Sequence, residues 1–527
     1  MVWAMSMSMS MALLTAGCGG QSGAGTEHAR RSTGDAIQTM GRYIETEADL
    51  SVQLEDTAGI YKMQDGKLVI VGRQGAFLVS EDGGETWKSG EGDPDMTAVP
   101  QEKLKVYSLE KSSDMYTAVS FYQIQHPDVF VEYEVGMEEG DAFTKEDAVK
   151  KLNTRIMTGE GPDILMLDGL PLDSYTEKGM LWNLNELIEE PVRKQIFDNL
   201  IRAFDRGDGI FAVPGQIMFP VLLGKEANVI GMKNFSAMAD GIEQMRSEAP
   251  GRDLTGLCCE KAVMKIGAVV TAGQWKKENG EIDRNSIAEF LARSKRIYDA
   301  QTEELTAKTA ERLRQTKEYY IQNVGEDWTY DLINYGFYMD YVAGYSELFA
   351  GVSSSPRSYM ELVSVSKAEG FEDTALISME GKQGSVFLPK TILGISKATQ
   401  KKELAADFLN MFLEKENQCS LSGYPVNRAA FDEAFLPEEE SGENGEYGRT
   451  GVIDEEGREI WLKIYLPTQE ETDVLLGWME SAAVPYTEDA VLEECVIEEG
   501  ASYLLEERGM EETLDAIERR IGIYLTE

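Results

Sequence analysis

One stretch of the chain, residues 146–167, has the sequence EDAVKKLNTRIMTGEGPDILML. Its first half carries apolar side chains three to four residues apart, at Ala148, Leu152 and Ile156, which is the spacing of one face of a helix. Its second half, from Asp163, is a short apolar run that is typical of a buried strand. The stretch therefore predicts a helix that is followed at once by a strand.

The same alternation continues on both sides of this stretch. Residues 104–109 and Val129–Val135 carry the apolar runs of strands, and Met115–Gln125 between them has the character of a helix. Strands that alternate with helices in this way predict βαβ units and a mostly parallel sheet. Farther along, the same patterns predict three helices and one long strand, over residues 286–300, 303–322, 401–413 and 385–395. We therefore predict an α/β fold.

Composition and charge limit the classes of partner. The chain has 527 residues, of which 42% are hydrophobic, and its 93 acidic against 50 basic side chains give a formal net charge of -43. At about 150 residues per domain, this length predicts roughly three domain-sized units or two large lobes. Nucleic acids and anionic lipid surfaces attract clustered Lys and Arg, so the negative charge argues against both as partners.

Metal and nucleophile chemistry have little support in the sequence. His28 and His126 stand in unrelated contexts and make no pair at metal-ligand spacing. The five cysteines are too few for a disulfide-based fold of this length. Cys419 could pair with Cys495 only if the fold brings their Cα atoms within about 7 Å. We expect no metal, no cofactor and no catalytic residue.

The amino terminus has the features of an export signal. Residues 2–17 contain no charged side chain and are too few to span a membrane, and a small, polar stretch follows from Cys18. We predict a signal peptide over residues 1–18 and a flexible linker over 19–50. The small residues just before Cys18 resemble the lipobox of bacterial lipoproteins, which implies an acylated Cys18 and an outward-facing, membrane-anchored protein. The alternative is an ordinary free cysteine.

A small β segment is predicted over residues 51–100. Short alternating apolar runs are separated there by Gly and Asp turns, which is typical of antiparallel strands. Residues 80–87, SEDGGETW, match the Asp-box hairpin of β-propeller blades, in which Asp82 can accept backbone N–H groups across the turn and Trp87 can pack back on the hairpin. A closed propeller needs about four or more blades. With one box, the segment predicts a structural appendage.

Three passages together resemble a known family. They are QHPDVFVEYEV, KLNTRIMTGEGPDILML and EKGMLWNLNELI within residues 125–188, LGISKATQKKELAADFLNMFLEKENQ and GYPVNRAAFDE within 393–433, and YLLEERGMEETLDAIERRIGIYLTE at 503–527. In order and spacing they resemble the extracellular solute-binding proteins, family 1, of bacterial ABC importers, a large family that includes many sugar binders. The resemblance covers residues 103–527.

The resemblance implies a two-lobed, periplasmic-binding-protein-like fold of type II, in which two α/β lobes joined by a hinge close on one small solute. The implied bounds are 103–222 with 390–445 for the first lobe and 223–389 with 446–527 for the second. The implied partners are a small solute, most simply a carbohydrate, and the permease subunits of the importer. We expect a monomer that contacts the membrane through its lipid anchor alone.

Candidate solute contacts follow from strand ends and from aromatic residues. Ligands of open α/β sheets bind at the carboxyl ends of the strands, which favours Asp114 and Asp168, while Gln216 lies at the expected hinge. Flat aromatic faces stack on the C–H surfaces of sugars. The second lobe offers four such residues, Trp275, Trp328, Tyr335 and Tyr338. The alternative for these four is packing in the core, because Tyr335 and Tyr338 have helical spacing.

The sequence thus favours a lipid-anchored, extracytoplasmic receptor that captures a small solute without changing it and delivers it to a permease. The alternative is a surface glycan-binding protein, an adhesion protein or a sialidase-like hydrolase that uses the Asp-box segment. The single Asp box and the passages typical of two lobes favour the receptor. A peptide, nucleoside or polyol would fit the same lobes as a carbohydrate.

Overall fold

The computed structural model describes most of the chain. The described residues are 57–62, 67–72, 77–82, 86–90, 102–126, 128–137, 144–277, 280–324, 332–333, 338–436, 446–487 and 489–526. The predicted signal peptide and linker, with Cys18, Trp328 and Tyr335, lie outside these residues.

Strands occur along the whole described part of the chain. In order they are β1 (Thr57–Lys62), β2 (Leu68–Gly72), β3 (Phe77–Ser80), β4 (Lys88–Gly90), β5 (Glu102–Ser108), β6 (Val129–Val135), β7 (Ile164–Met166), β8 (Val213–Lys225), β9 (Leu348–Ser353), β10 (Thr374–Ser378), β11 (Glu380–Gly381), β12 (Gly384–Ile395), β13 (Tyr424–Pro425), β14 (Glu446–Ile453), β15 (Glu459–Tyr465) and β16 (Ala482–Pro485).

Helices lie between these strands, singly or in runs. In order they are α1 (Ser113–Gln125), α2 (Lys145–Met157), α3 (Leu172–Glu177), α4 (Glu190–Arg193), α5 (Asp198–Arg202), α6 (Glu226–Val229), α7 (Phe235–Glu248), α8 (Glu260–Thr271), α9 (Arg284–Thr302), α10 (Ala307–Val324), α11 (Tyr338–Val342), α12 (Pro356–Val365), α13 (Lys402–Leu413), α14 (Lys415–Gln418), α15 (Arg428–Glu433), α16 (Gln469–Ser481), α17 (Ala490–Leu504) and α18 (Met510–Thr526). Within the described residues, no helix has the length and apolar character needed to cross a membrane.

The described residues divide into two compact units. The amino-terminal unit lies within the bounds Ala24–Gln216 and Lys390–Ala434, and the carboxy-terminal unit lies within Ile217–Pro389 and Phe435–Glu527. Two of the points of division fall inside strands β8 and β12. The chain therefore passes from one unit to the other through extended segments that belong to both.

A mostly parallel sheet forms the centre of the amino-terminal unit. Strand β5 pairs in parallel with β6 on one side and with β7 on the other. The end of β12 pairs antiparallel with β7, and Leu393 lies opposite Met166. Helix α1 begins at Ser112, whose hydroxyl accepts a hydrogen bond from the backbone N–H of Met115, and α2 begins at a capping box formed by Thr144 and Asp147. These caps fix where each helix leaves the edge of the sheet.

The predicted order of elements is confirmed for residues 146–167. Helix α2 buries Leu152 and Ile156 along one face, and β7 is buried throughout. Gly159, just after the helix, has a φ of +76°, a conformation that glycine adopts without strain. The α/β fold class is confirmed in the same way, since the strand Val129–Val135 has the predicted bounds and α9, α10, α13 and β12 occur where helices and a strand were expected. The hairpin of β14 and β15 was not predicted.

A small antiparallel sheet of four strands, β1 to β4, precedes the parallel sheet. Its core consists of Leu68, Ile70, Leu78 and Trp87, and Ile124 of α1 packs against it. In the turn before β4, the carboxylate of Asp82 accepts hydrogen bonds from the Thr86 hydroxyl at 2.5 Å, from the Thr86 backbone N–H at 2.9 Å and from the Ser80 hydroxyl at 2.7 Å. Mainly because of the bonds from Thr86, the pKa of Asp82 falls from 3.8 to about 2.

We expect Asp82→Ala to loosen this small sheet while leaving both larger cores intact. The substitution removes an acceptor of three hydrogen bonds. These bonds favour the ionised carboxylate, so wild type should lose part of the same contribution as the pH falls from about 4 through about 2. The measurement is the rate of trypsin cleavage between residues 57 and 90. Glu81→Ala is the matched control, because its ion pairs with Lys67 and Lys88 are exposed. Equal cleavage of both variants would contradict the assigned role of Asp82.

The carboxy-terminal unit combines an antiparallel sheet with a thick helical layer. Strand β8 pairs with β9 and with β10 in this unit. Helices α7, α8, α9, α17 and α18 enclose one continuous hydrophobic core. Fully buried representatives of this core are Met238, Ile266, Phe290, Val496 and Ile517. The unit is therefore stabilised mainly by apolar burial.

A buried ion-pair network fixes helix α10 to this unit. Arg312 donates to Asp340 at 2.8 Å and also to Asp253, which has no exposed surface. Asp253 accepts further hydrogen bonds from Gln301 at 2.6 Å and from the backbone N–H of Gly256 at 2.8 Å. Burial raises the pKa of Asp340 from 3.8 to about 6, and Arg312 opposes the rise. One guanidinium thus compensates two buried carboxylates.

Candidate functional site

Polar residues from distant parts of the sequence meet at one edge of the parallel sheet in the amino-terminal unit. Because β5, β6 and β7 are parallel, the segments that follow them begin at the same edge, and these segments contain Asp114 and Asp168. Strand β12 runs antiparallel to β7 and pairs with it from Leu393 onward. Lys390 and Thr391 come just before the paired residues and therefore lie at the same edge. The edge is where an open α/β sheet binds its ligands.

Asp114 is the centre of this arrangement. Its buried carboxylate accepts a hydrogen bond from Gln216 Nε2 at 2.5 Å and two from Ser422, from the hydroxyl at 2.9 Å and from the backbone N–H at 3.2 Å. The ammonium group of Lys390 lies 3.9 Å from Asp114 Oδ2 and 3.5 Å from the Ser422 hydroxyl. The Asp114 carboxylate therefore joins the segments that contain Gln216, Lys390 and Ser422.

Gln216 connects β8 with β12 through its side-chain amide. We call these two the crossing strands, because the chain passes from one unit to the other within them. Its Nε2 also donates to the Thr391 hydroxyl at 3.0 Å, and its Oε1 accepts the backbone N–H of Gly423. A β-carbon at Gly423 would lie 2.6 Å from Gln216 Oε1, so this position requires glycine. Gln216 has no exposed surface, and its amide is occupied on both sides. It can position its neighbours, but it offers no free group to a ligand.

Asp168 stabilises an unusual backbone conformation at Thr391. Its two oxygens accept the backbone N–H groups of Thr391 at 2.8 Å and Ile392 at 2.7 Å. Thr391 has a φ of +52°, in the left-handed region that β-branched residues rarely adopt. Loss of solvation raises the pKa of Asp168 from 3.8 to about 6, against the effect of these two hydrogen bonds. The carboxylate thereby fixes the direction in which Lys390 leaves the strand.

Tyrosine rings lie beside this polar group. Tyr133 exchanges a hydrogen bond with the Ser108 hydroxyl at 2.7 Å and accepts one from the backbone N–H of Ser112 at 3.2 Å, and burial raises its pKa to about 12. The half-buried ring of Tyr116 meets the ring of Tyr133 edge to face, with 4.7 Å between the centroids. We call the whole set the polar edge, and it consists of Asp114, Tyr116, Tyr133, Asp168, Gln216, Lys390, Thr391 and Ser422.

Two of the groups at the polar edge are open to solvent. Ser422 is exposed, and the side chain of Lys390 keeps 29% of its surface exposed. With the half-buried Tyr116 they present a hydroxyl, an ammonium group and an aromatic ring. This combination suits a ligand that carries hydroxyl groups on an apolar ring. Within the described residues, no group of three or more His, Cys, Asp or Glu side chains could hold a metal ion.

The aromatic residues predicted for the second lobe have a different environment. Trp275 is 1% exposed and packs in the core of the carboxy-terminal unit, where its ring lies 4.8 Å from the ring of Phe290. Tyr338 is half-buried, and burial, together with the nearby charge of Glu361, raises its pKa well above the ordinary value. Trp275 is therefore a core residue, while Tyr338 has the polar neighbours Glu361, Arg357 and Thr450.

A different aromatic group of the carboxy-terminal unit was not predicted. The half-buried ring of Trp478, on α16, lies 5.7 Å from Phe219 and 5.9 Å from Tyr359, and Phe435 lies 6.4 Å from Tyr359. Phe219 and Phe435 come shortly after the points at which the chain enters this unit. Of this group, only Phe219 lies near the expected hinge at Gln216.

The structure thus brings together three of the predicted contacts, Asp114, Asp168 and Gln216, in the amino-terminal unit, and Trp275 and Tyr338 lie in the carboxy-terminal unit. Lys390 and Ser422 were missed. The sequence contained one signal for Lys390, because Pro389 interrupts the predicted strand 385–395 just before it. Ser422 had no such signal, since it follows a short helix in an ordinary polar turn. Cys258, Cys259 and Cys495 form no disulfide.

Comparison with known proteins gives similarities to solved structures. No family model matches the chain, and no curated protein sequence matches it. The chain is similar to the extracellular solute-binding protein family 1 from Alicyclobacillus acidocaldarius, with 13% identity and a TM-score of 0.45 over 82% of this chain and 100% of that one. It is also similar to the GacH receptor of Streptomyces glaucescens, with 12% identity and a TM-score of 0.46 over 81% and 99% of the two chains.

A third similar structure is the cyclic alpha-maltosyl-1,6-maltose binding protein from Arthrobacter globiformis. The identity is 14% and the TM-score 0.44, over 80% of this chain and 98% of that one. The names of these three structures describe a solute-binding protein, a receptor in complex with acarbose and a sugar-binding protein.

Proposed function

We propose that the protein is a non-catalytic receptor for a small, hydroxyl-rich solute, most simply a carbohydrate, and that the polar edge is its contact surface in the amino-terminal unit. The observation that supports this most strongly is the convergence of Asp114, Lys390 and Ser422 at the carboxyl ends of parallel strands. These three residues come from segments far apart in sequence. Such convergence at a sheet edge is typical of a ligand site.

The chemistry of the edge suits a carbohydrate. The Lys390 ammonium group can donate to sugar oxygens, the Ser422 hydroxyl, which already donates its proton to Asp114, can accept, and the ring of Tyr116 can pack on a sugar C–H face. Gln216 and Asp168 have a positioning role in this proposal. Gln216 holds Asp114, and Asp168 holds the backbone of Thr391 next to Lys390.

We further propose that the two units correspond to the two lobes implied by the sequence and that they close on the solute. Gln216 is the last residue before one point of division, and Lys390 is the first residue after another. A solute that contacts Lys390 therefore acts directly beside a crossing. Trp478 is the proposed stacking residue of the carboxy-terminal unit. Binding favours a closed state only if the solute has different affinities for the two states.

The location and delivery of the solute belong to the same proposal. Acylation of Cys18 would anchor the protein outside the cytoplasmic membrane, and the permease of an ABC importer would receive the solute. The Asp-box segment would be a structural appendage, because the Asp82 carboxylate is engaged by Ser80 and Thr86 and its pKa of about 2 is far from that of a catalytic acid. These bonds do not favour the hydrolase alternative.

Lys390→Ala tests the proposal with a thermal-shift screen. The probes are glucose, maltose, cellobiose, xylobiose, mannobiose and their longer homologues, together with a peptide, a nucleoside and a polyol. A solute at about 100 times its dissociation constant should stabilise wild type by about 2.7 kcal/mol. We expect Lys390→Ala to weaken binding of that solute at least tenfold, because an ammonium group at the surface of the site is lost.

The matched control is Lys194→Ala, because Lys194 is an exposed lysine of the same unit whose ion pair with Glu190 lies on the surface. Its thermal shift should equal that of wild type. If Lys390→Ala responds to the same solute as strongly as this control does, the polar edge is not the contact surface. If every probe leaves wild type unchanged, the proposed solute class is wrong.

A further inference from the structure

The hairpin of β14 and β15 is firmly attached to the carboxy-terminal unit by one of its faces. Leu462 and Ile464 are buried on that face. The backbone N–H of Tyr465 donates to the Ser364 hydroxyl at 2.9 Å, and the Tyr345 hydroxyl donates to the carbonyl of Ile453 at 2.8 Å. The opposite face of the hairpin is therefore held in a fixed position and points away from this core.

A single tryptophan lies at the centre of that outward face. Trp461 is 58% exposed and pairs across the hairpin with Gly451. A β-carbon at Gly451 would lie 3.0 Å from the indole ring, so the ring rests directly on the glycine. The indole N–H donates to the Glu459 carboxylate at 3.3 Å. The backbone of Gly451 supports one face of the ring, and the other face is open.

Charged residues of both signs neighbour Trp461 in the hairpin. Arg449 and Lys463 are opposite one another in the hairpin, and both contact Glu446, Lys463 at 3.5 Å. Together with Glu459 they place hydrogen-bond donors and acceptors beside the open ring face. Among the large hydrophobic side chains that are exposed in the described residues, Trp461 is the one aromatic.

We propose that Trp461 is a stacking platform for a neutral pyranose ring within a carbohydrate polymer, and that this is a second site apart from the polar edge. A flat, open ring with polar groups at its rim matches a sugar, which is apolar on its C–H face and polar at its periphery. The mixed charges at the rim, and the net charge of -43, disfavour a nucleic-acid base, which would bring phosphates with it. A protein partner would need a wider apolar area than one ring among charges and glycine.

The platform is suited to a polymer because it is an open strand face. An internal sugar unit can lie on such a face while the rest of the chain extends on both sides. A small free sugar would contact the ring alone, without further sugar units along the strand face, and its binding would be weak. The site would increase the local concentration of polymer chains from which small solutes arise.

Affinity electrophoresis tests this inference directly. The full-length protein is run in native gels that contain soluble starch, xylan, glucomannan or mixed-linkage β-glucan. We expect at least one of these polymers to retard wild type, Trp461→Ala to lose at least five-fold in apparent affinity, and Trp461→Phe to keep part of it. Leu505→Ala, which removes another exposed hydrophobic side chain, should migrate like wild type in each gel.

Two results separate this site from the proposed receptor function. Trp461→Ala should keep the thermal shift produced by the small solute, and Lys390→Ala should keep the retardation by polymer. The inference is overturned if no polymer retards wild type, or if Trp461→Ala is retarded as strongly as wild type.

Discussion

Replacement of Gln216 by leucine is expected to abolish solute binding and to lower the free energy of unfolding by about 3 kcal/mol. Leucine keeps the volume of the side chain but removes a buried amide that donates to Asp114 and Thr391 and accepts from Gly423. The groups left behind are buried, so each loses a hydrogen bond that water cannot easily replace. The polar edge then loses the link between its two crossing strands.

The measurement combines urea unfolding with titration of the solute that most stabilises wild type in the thermal-shift screen. Gln195→Leu is the matched control, because Gln195 is an exposed glutamine of the same unit with one long contact, 3.3 Å, to Asn427. The control should change neither quantity appreciably. A Gln216→Leu protein that binds the solute with wild-type affinity would show that the amide does not organise the site.

We expect Arg312→Met to lower the free energy of unfolding by about 3–5 kcal/mol at pH 8, at least as much as Gln216→Leu does. Methionine retains much of the apolar stem but leaves Asp253 and Asp340 without their common cation. The native pKa of Asp340 is already about 6, above its ordinary 3.8, so the folded state takes up a proton more readily than the unfolded state. The contribution of Asp340 to stability therefore falls as the pH rises from about 3.8 through about 6. Without the Arg312 guanidinium this contribution falls farther.

Urea unfolding at pH 5 and pH 8 checks this expectation. The loss caused by Arg312→Met should be smaller at pH 5, where a protonated Asp340 no longer needs a cation. Arg314→Met is the control on the same helix, because Arg314 pairs with Glu311 and Glu318 at the exposed surface and should change stability little at either pH. Equal losses of stability for the two variants, or a loss at pH 5 as large as at pH 8, would mean that the buried ion-pair network of Arg312 is not the cause.

The sequence predicted the part of the site that depends on strand ends. Asp114 and Asp168 each follow a recognisable apolar strand, and parallel strands place such residues at the same edge. Gln216 was identified because it lies where the chain was expected to cross. That its amide contacts Asp114 could not be predicted, since the contact joins residues 102 positions apart and depends on the packing of β8.

Aromatic residues were harder to assign for a physical reason. A tryptophan has the same local pattern whether its ring fills a core or faces solvent, because helical spacing does not reveal what lies opposite. Trp275 follows the end of α8 and is enclosed beside Phe290, while Trp478 lies within α16 and is half-buried. Trp461 had a clearer local signal, since it alternates with buried residues along β15. This strand was not predicted, and the signal was therefore not used.

Isothermal titration with the solute identified in the screen, followed by chemical analysis of the recovered solute, tests whether the protein binds its solute without changing it. We expect binding of one solute molecule per protein chain, a solute recovered unchanged, and at least tenfold weaker binding to Lys390→Ala. A solute converted into product, or wild-type affinity in Lys390→Ala, would rule out a non-catalytic receptor that binds its solute at the polar edge.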